Sequence, residues 1–214
     1  MTSGFSSNDL LKSVSNYPVK KGDLPGHPFH GNQYQTGAVL GAVPNGIHTI
    51  NGKDVTIAPR ANLTTADLSN ANLEGANLSG ANMGNAVLNS ADLTGAKLTS
   101  AYLTTADLTD ADLSYAHMSK ANLLGADLHF ATLYSADLYG AKLIGAELYG
   151  ANLTGADLTA ANLRLANLTA ANLNGADLTN ANLTSANLTD TRGDKDTKLP
   201  DTHEVVNGFV VARK

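Results

Sequence analysis

The dominant pattern in the chain has a period of five. Ala recurs at every fifth position from Ala61 to Ala186 without exception, which defines 26 units. Two positions after each Ala stands Leu, replaced only by Met83 and Met118. With that Leu as position i, a helix turning about 100° per residue would leave successive Leu side chains about 140° apart, so no apolar stripe forms. A straight strand fails as well, because five is odd and successive Leu would face opposite sides. The pattern therefore predicts one bend per unit. Positions i−2 and i face inward from a short extended segment, i−1 faces outward, and i+1 and i+2 turn the chain.

The remaining positions fit the same geometry. Position i−1 is mostly Asn or Asp, as at Asn62, Asp67, Asn72 and Asn77. Position i+1 is Thr or Ser in 15 of 26 units, whose hydroxyls can bond to nearby turn backbone. Position i+2 is Gly, Asn or Asp in 14 of 26, including Gly75, Gly80, Gly140 and Gly150, the residues best suited to the positive φ of a type II turn.

A unit such as Ala106-Asp107-Leu108-Thr109-Asp110 resembles the A(D/N)LXX unit of the pentapeptide-repeat protein family, over 130 of the 214 residues. That resemblance implies an all-β fold, a right-handed quadrilateral β-helix with four units per coil. Residues 61–190 then make about 6.5 coils, roughly 31 Å long at ~4.8 Å per stacked strand. Leu63, Leu68, Leu73, Leu78, Met83 and Met118 are expected in its core.

The flanks divide the rest. Residues 1–36 read as a largely extended N-terminal arm, with a short helix expected over Asn8 to Val14 and a loop over residues 25–34. Residues 37–60 read as a β-hairpin cap, from Ile47-His48-Thr49-Ile50, the turn pair Asn51-Gly52, and Lys53-Asp54-Val55-Thr56-Ile57. Residues 191–214 read as a C-terminal cap, a small hairpin or edge strand over Val205 to Val211. Capping matters because an open coil edge invites end-to-end stacking.

Charge changes the picture more than bulk composition does. The net charge of −5 is uneven: residues 61–190 hold 12 acids and 4 bases, residues 1–60 hold 3 and 5, and residues 191–214 hold 4 and 5. Direct nucleic-acid binding by the repeats is disfavoured, since phosphates need clustered Lys and Arg. Cys is absent, which removes disulfides and thiolate chemistry. The first residues lack the basic and apolar regions of a secretory signal, and no apolar run reaches the ~20 residues of a membrane helix. A cytoplasmic or virion-associated location is expected.

No nucleophile or phosphate-loop motif is present, and no cofactor or enzymatic activity is expected. His27 and His30 lie three apart in a Gly/Pro loop but lack a third ligand at a recognisable spacing, so no metal site is expected. Asp107, Asp127 and Glu147 are 20 apart and should stack on one face; on a solvated surface they lack the pocket that acid–base chemistry requires, and read as a solubilising face.

The main departure from the repeat lies in its middle. At i+1 the usual Thr or Ser gives way to Leu124, His129, Tyr134, Tyr139, Ile144 and Tyr149, with Phe130 at i+2 and Tyr102 and Tyr115 nearby. Four units per coil would stack Leu124 under Ile144 and His129 under Tyr149. This girdle either stiffens the coil by cross-strand stacking or forms a surface for a protein partner. The sequence thus reads as a structural or interaction module that docks on a larger assembly. Capsid subunits of a phage particle are one such partner, given that Gly26 to Tyr34 resembles a short sequence in proteins of phage head-region genes; a homo-oligomer is also compatible. The alternative, implied by the family resemblance, is a DNA-mimicking inhibitor or protector of DNA gyrase. Against it, B-DNA presents about 18 charges over such a length, where these repeats offer a net excess of 8 acids.

Overall fold

The computed structural model describes residues 43–213. The arm over residues 1–36, the helix expected near Asn8, the residue 26–34 segment with His27 and His30, and residues 37–42 lie outside the described residues. The ordered strands are β1 (Gly46–Ile50), β2 (Lys53–Ile57), β3 (His203–Val206) and β4 (Phe209–Ala212). Each pair is an antiparallel hairpin, and between the two hairpins run isolated parallel bridges. The described residues contain no helix, and so none long and apolar enough to cross a membrane.

Those bridges join residues 20 apart, and 21 apart only at Asp177↔Lys198, so the chain returns above itself every four units. The i−1 residues therefore form four columns. Column I runs from Asn62 through Tyr102 to Asn182, and column II from Asp67 through Asp127 to Asn187. Column III runs from Asn72 through Thr132 to Arg192, and column IV from Asn77 through Asp137 to Lys198. Ala and Leu side chains fill the interior, essentially inaccessible from Ala76 to Leu178, with Met83 and Met118 equally buried.

One unit shows where every backbone donor goes, a question each N–H must answer when water is excluded. Ala151 N–H closes the turn to Leu148 O at 3.1 Å, Asn152 N–H reaches Ala131 O in the coil before at 2.9 Å, and Leu153 and Gly155 N–H reach Asn172 and Asn174 O in the coil after at 2.8 and 2.9 Å. The fifth, Thr154 N–H, is accepted by Oδ1 of Asn152 in its own unit at 3.1 Å. All 26 residues at i+2 have positive φ, as the type II turn requires.

The hairpins sit at the ends of this stack. In β1–β2 the turn residues Asn51 and Gly52 have φ of 50° and 74°, the type I′ geometry that matches strand twist. Ile57 is fully buried, Ile50 and Val55 pack against the core, and Asn51 Nδ2 donates to Ser69 O at 3.2 Å. At the other end the bridging continues past residue 190. Thr191 takes the place of Ala, fully buried, with its hydroxyl donating to Leu168 O at 2.8 Å. Gly193 takes the place of Leu, and the methyls of Val205 and Val210 occupy the vacated space, each 3.0 Å from where a Cβ would stand.

Candidate interaction surface

Each turn forms a corner, and corners stack as the columns do: Phe130 N–H donates to Tyr149 O and Tyr115 N–H to Tyr134 O, both at 2.9 Å. The sequence-predicted girdle is thereby distributed over all four corners. The corner after column II gathers His129, Phe130 and Tyr149; the corner after column III gathers Tyr115 and Tyr134. Leu124 and Ile144 share the corner after column I, joined by Leu165, which sequence reasoning did not single out. Tyr139 stands apart from these at the corner after column IV.

The rings form two close groups. Phe130 and Tyr149 meet edge-to-face at 5.3 Å, with the His129 ring 5.9 Å from Tyr149, and Tyr115 and Tyr134 meet edge-to-face at 5.4 Å. None of these rings enters the core. Phe130 is 55 % exposed, Tyr115 49 % and Tyr149 39 %. The Phe130 ring lies so close over Gly150 that a Cβ there would meet it at 2.7 Å, so Gly150 is needed for the ring as well as for its own φ of 67°.

Electrostatics around the groups follow from the turn bonds. His129 Nδ1 lies 2.5 Å from Asp127 Oδ1, which also accepts His129 N–H at 3.1 Å. Burial acts to raise the Asp127 carboxyl, but the bonds from His129 outweigh it and leave it below the usual carboxylate range. Burial beside Tyr134 raises the Tyr115 phenol. Asp107, Asp127 and Glu147 do stack in column II as expected. They are more than a solubilising face, however: Asp107 Oδ1 accepts Thr109 N–H at 3.0 Å and Glu147 Oε2 accepts Asn167 Nδ2 at 2.8 Å.

Sorting the charges by column exposes an asymmetry that a five-residue reading hides. Columns II and III with their corners hold nine of the 12 repeat acids: Asp67, Glu74, Asp92, Asp107, Asp110, Asp112, Asp127, Glu147 and Asp190. They hold no base within residues 61–190. All four bases, Lys97, Lys120, Lys142 and Arg164, lie on columns I and IV and their corners, beside Asp137, Asp157 and Asp177. The two aromatic groups are on the acidic side.

No group of three or more metal-ligating side chains occurs among the described residues. A groove of about 840 Å³ opens at the C-terminal end, where no further coil covers Asn182 to Thr189. Pro200, Thr202, His203 and Val211 form its other wall, and burial lowers the His203 imidazole.

The family model for pentapeptide repeats matches residues 56–85, 66–104, 106–143, 121–159, 133–169 and 161–192, in 8 copies. The chain belongs to the pentapeptide-repeat family. Among solved structures, it is 40 % identical to the pentapeptide repeat protein Rfr23 from the cyanobacterium Cyanothece 51142, over 48 % of this chain and 63 % of that one, with a TM-score of 0.32. It is 36 % identical to HetL, a pentapeptide repeat protein involved in heterocyst differentiation regulation in Nostoc sp. strain PCC 7120, over 66 % of this chain and 76 % of that one, with a TM-score of 0.33. QnrB1, a plasmid-mediated fluoroquinolone resistance protein, is 22 % identical over 60 % of this chain and 79 % of that one, with a TM-score of 0.41. The chain thus spans under two thirds of Rfr23 and about three quarters of HetL. No curated protein matches the chain.

Proposed function

We propose that the repeats wind into a right-handed quadrilateral β-helix that acts as a non-catalytic interaction module, docking on a larger protein assembly through its aromatic girdle. The observation that carries this reading is that the girdle clusters bulky, exposed side chains at corners where most units place Thr or Ser at i+1 and Gly, Asn or Asp at i+2. Tyr115 and Phe130 occupy the left-handed i+2 position, at φ of 59° and 57°, where bulky side chains are disfavoured. Both are half exposed, so little burial offsets the strain. Thr132, Lys142 and Glu147, which precede Tyr134, Ile144 and Tyr149, are three of the seven i−1 residues that lack the Asn or Asp acceptor of the i+1 N–H, the others being Val87, Lys97, Tyr102 and His117. Exposed bulky side chains in strained positions that add little net stability are the mark of a surface kept for recognition.

The competing reading, stacking that stiffens the coil, predicts that the rings stabilise the fold. The test pairs two measurements on a Tyr134→Ala/Tyr139→Ala/Tyr149→Ala variant: thermal stability, and quantitative copurification of partners after cross-linking in the source cells. A stable fold with partners lost supports docking; unchanged partners with a large drop in stability would support stiffening instead. The gyrase alternative is decided by supercoiling assays with the purified protein, in which the proposal expects no effect.

A further inference from the structure

We infer that the acidic side of the repeats binds an arginine- or lysine-rich segment of a protein partner, seated between the two aromatic corners. This deepens the docking reading above and rests on it. The corners after columns II and III are joined by Ala131-Thr132-Leu133, so the Phe130–Tyr149 and Tyr115–Tyr134 pairs flank one face, roughly 10 Å apart by strand spacing. At the level of the rings that face carries the short, neutral Thr132. One coil earlier it carries Asp112, with Asp110 at the adjoining corner.

Charge selects the occupant. Nucleic acid is repelled by a side holding nine acids and no base over residues 61–190. A guanidinium or ammonium is drawn to it, stacks on Tyr and Phe faces, and pairs with carboxylate oxygens. Those oxygens are free for the purpose, because the turn bonds of Asp92, Asp107 and Asp112 use Oδ1 alone. Nor does the fold need the charge: Asn does the same work through Oδ1 at Asn152 and Asn172 in column III and at Asn167 in column II. Asp in place of Asn on this side is therefore surplus to the coil and is explained by a cationic ligand.

The test uses the full chain and a fluorescein-labelled peptide of alternating Arg and Gly, followed by anisotropy at low and high salt. Asp107→Asn, Asp112→Asn and Asp127→Asn together keep every turn acceptor while removing three charges, and should weaken binding about tenfold or more at low salt. Phe130→Gly with Tyr149→Ala should weaken it about tenfold through the lost cation–π contacts. Thr159→Ala, at the corner after column IV and outside the girdle, should change nothing, and a Glu-Gly peptide should not bind. Circular dichroism checks that each variant is folded. Absence of peptide binding, equal binding by the ring variant, or equal loss in Thr159→Ala would overturn the inference. If the peptide is not bound but partners are still lost on removing the rings, docking stands and the cationic segment does not. Self-association abolished by the same variants, without peptide binding, assigns the surface to a second copy and also overturns it.

Discussion

Within each unit flanked by a coil on both sides, the i+1 N–H is the only donor that neither the turn nor a neighbouring coil accepts. Its partner is the i−1 side chain, and every one of the 19 units with Asn or Asp there makes that bond. Several i+1 hydroxyls, expected to bond to turn backbone, instead reinforce the same oxygen: those of Thr64, Ser69, Ser79, Thr169 and Thr189 do so, as does Thr154 Oγ1 to Asn152 Oδ1 at 2.7 Å. Hence Asn152→Ala should cost about 0.5–1.5 kcal/mol in urea denaturation, whereas Asp157→Asn, which keeps the acceptor, should leave the midpoint in place. Loss of stability in the second variant would show that the charge, and not the acceptor, was doing the work. A second expectation concerns Phe130. Glycine there removes left-handed strain of about 1–2 kcal/mol and an edge-to-face contact of about 0.5–1.5 kcal/mol, so Phe130→Gly should melt close to the wild type. The inward positions were legible because only Ala and Leu fit them. The role of Asn and Asp was not, because composition at i−1 says "outward and polar" without saying which donor is otherwise unpaired.

The ends obey different rules from the middle, and the sequence disguised one of them. Thr191-Arg192-Gly193 continues the coil with neither Ala nor Leu, so the Ala and Leu rhythm stops at residue 190. Asp194 then stands in for a missing backbone carbonyl, its Oδ1 accepting Gly175 N–H at 2.9 Å. Hairpin β3–β4 was readable from Asn207-Gly208, but its docking depends on the hole left at Gly193, which shows only in the packing of Val205 and Val210. Gly193→Leu would complete the repeat and yet drive a side chain into Val205 and Val210. The variant should release β3–β4, seen as faster proteolysis near residues 201–212, while the central coils keep their circular dichroism. The last bridge is clamped by Lys198 Nζ to Asp177 Oδ2 at 2.8 Å. The Lys198 bond, with that of Thr179, holds the Asp177 carboxyl down at about 2 from its ordinary 3.8. The folded value lies below the unfolded one, so this stabilisation is full above 3.8 and fades as pH falls from there toward about 2. Lys198→Met should flatten that acid limb in a series of melts against pH. Identical acid limbs in both proteins would place the sensitivity elsewhere.

Across the repeats as a whole, the five-residue unit sets the fold and the twenty-residue coil sets the surface. Each unit is bonded only to its neighbours in the chain and to the units 20 residues before and after, the condition under which stability is nearly a sum over units. The fold was therefore legible from a period of five, whereas the acidic side and the two aromatic pairs emerge only when positions are compared 20 apart. These two periods can be separated by experiment. Deleting residues 161–165 removes one unit and leaves the C-terminal hairpin with the coil it packs on. Every later residue then moves one column, so that Asp177 sits above Asn152 where Asp157 had been. The backbone bonding of each unit is independent of column, so the shortened chain should keep its circular dichroism and lose stability only by about one unit's burial, a Leu worth roughly 1.5–3 kcal/mol. The aromatic pairs, all before residue 161, keep their spacing, so Arg-Gly peptide binding should survive as well. Deleting residues 131–135 instead removes Tyr134 and shifts Tyr149 from its place above His129. That chain should fold equally well and fail to bind. Unfolding in both deletions would mean that the coil, not the five-residue unit, is the indivisible element of the structure.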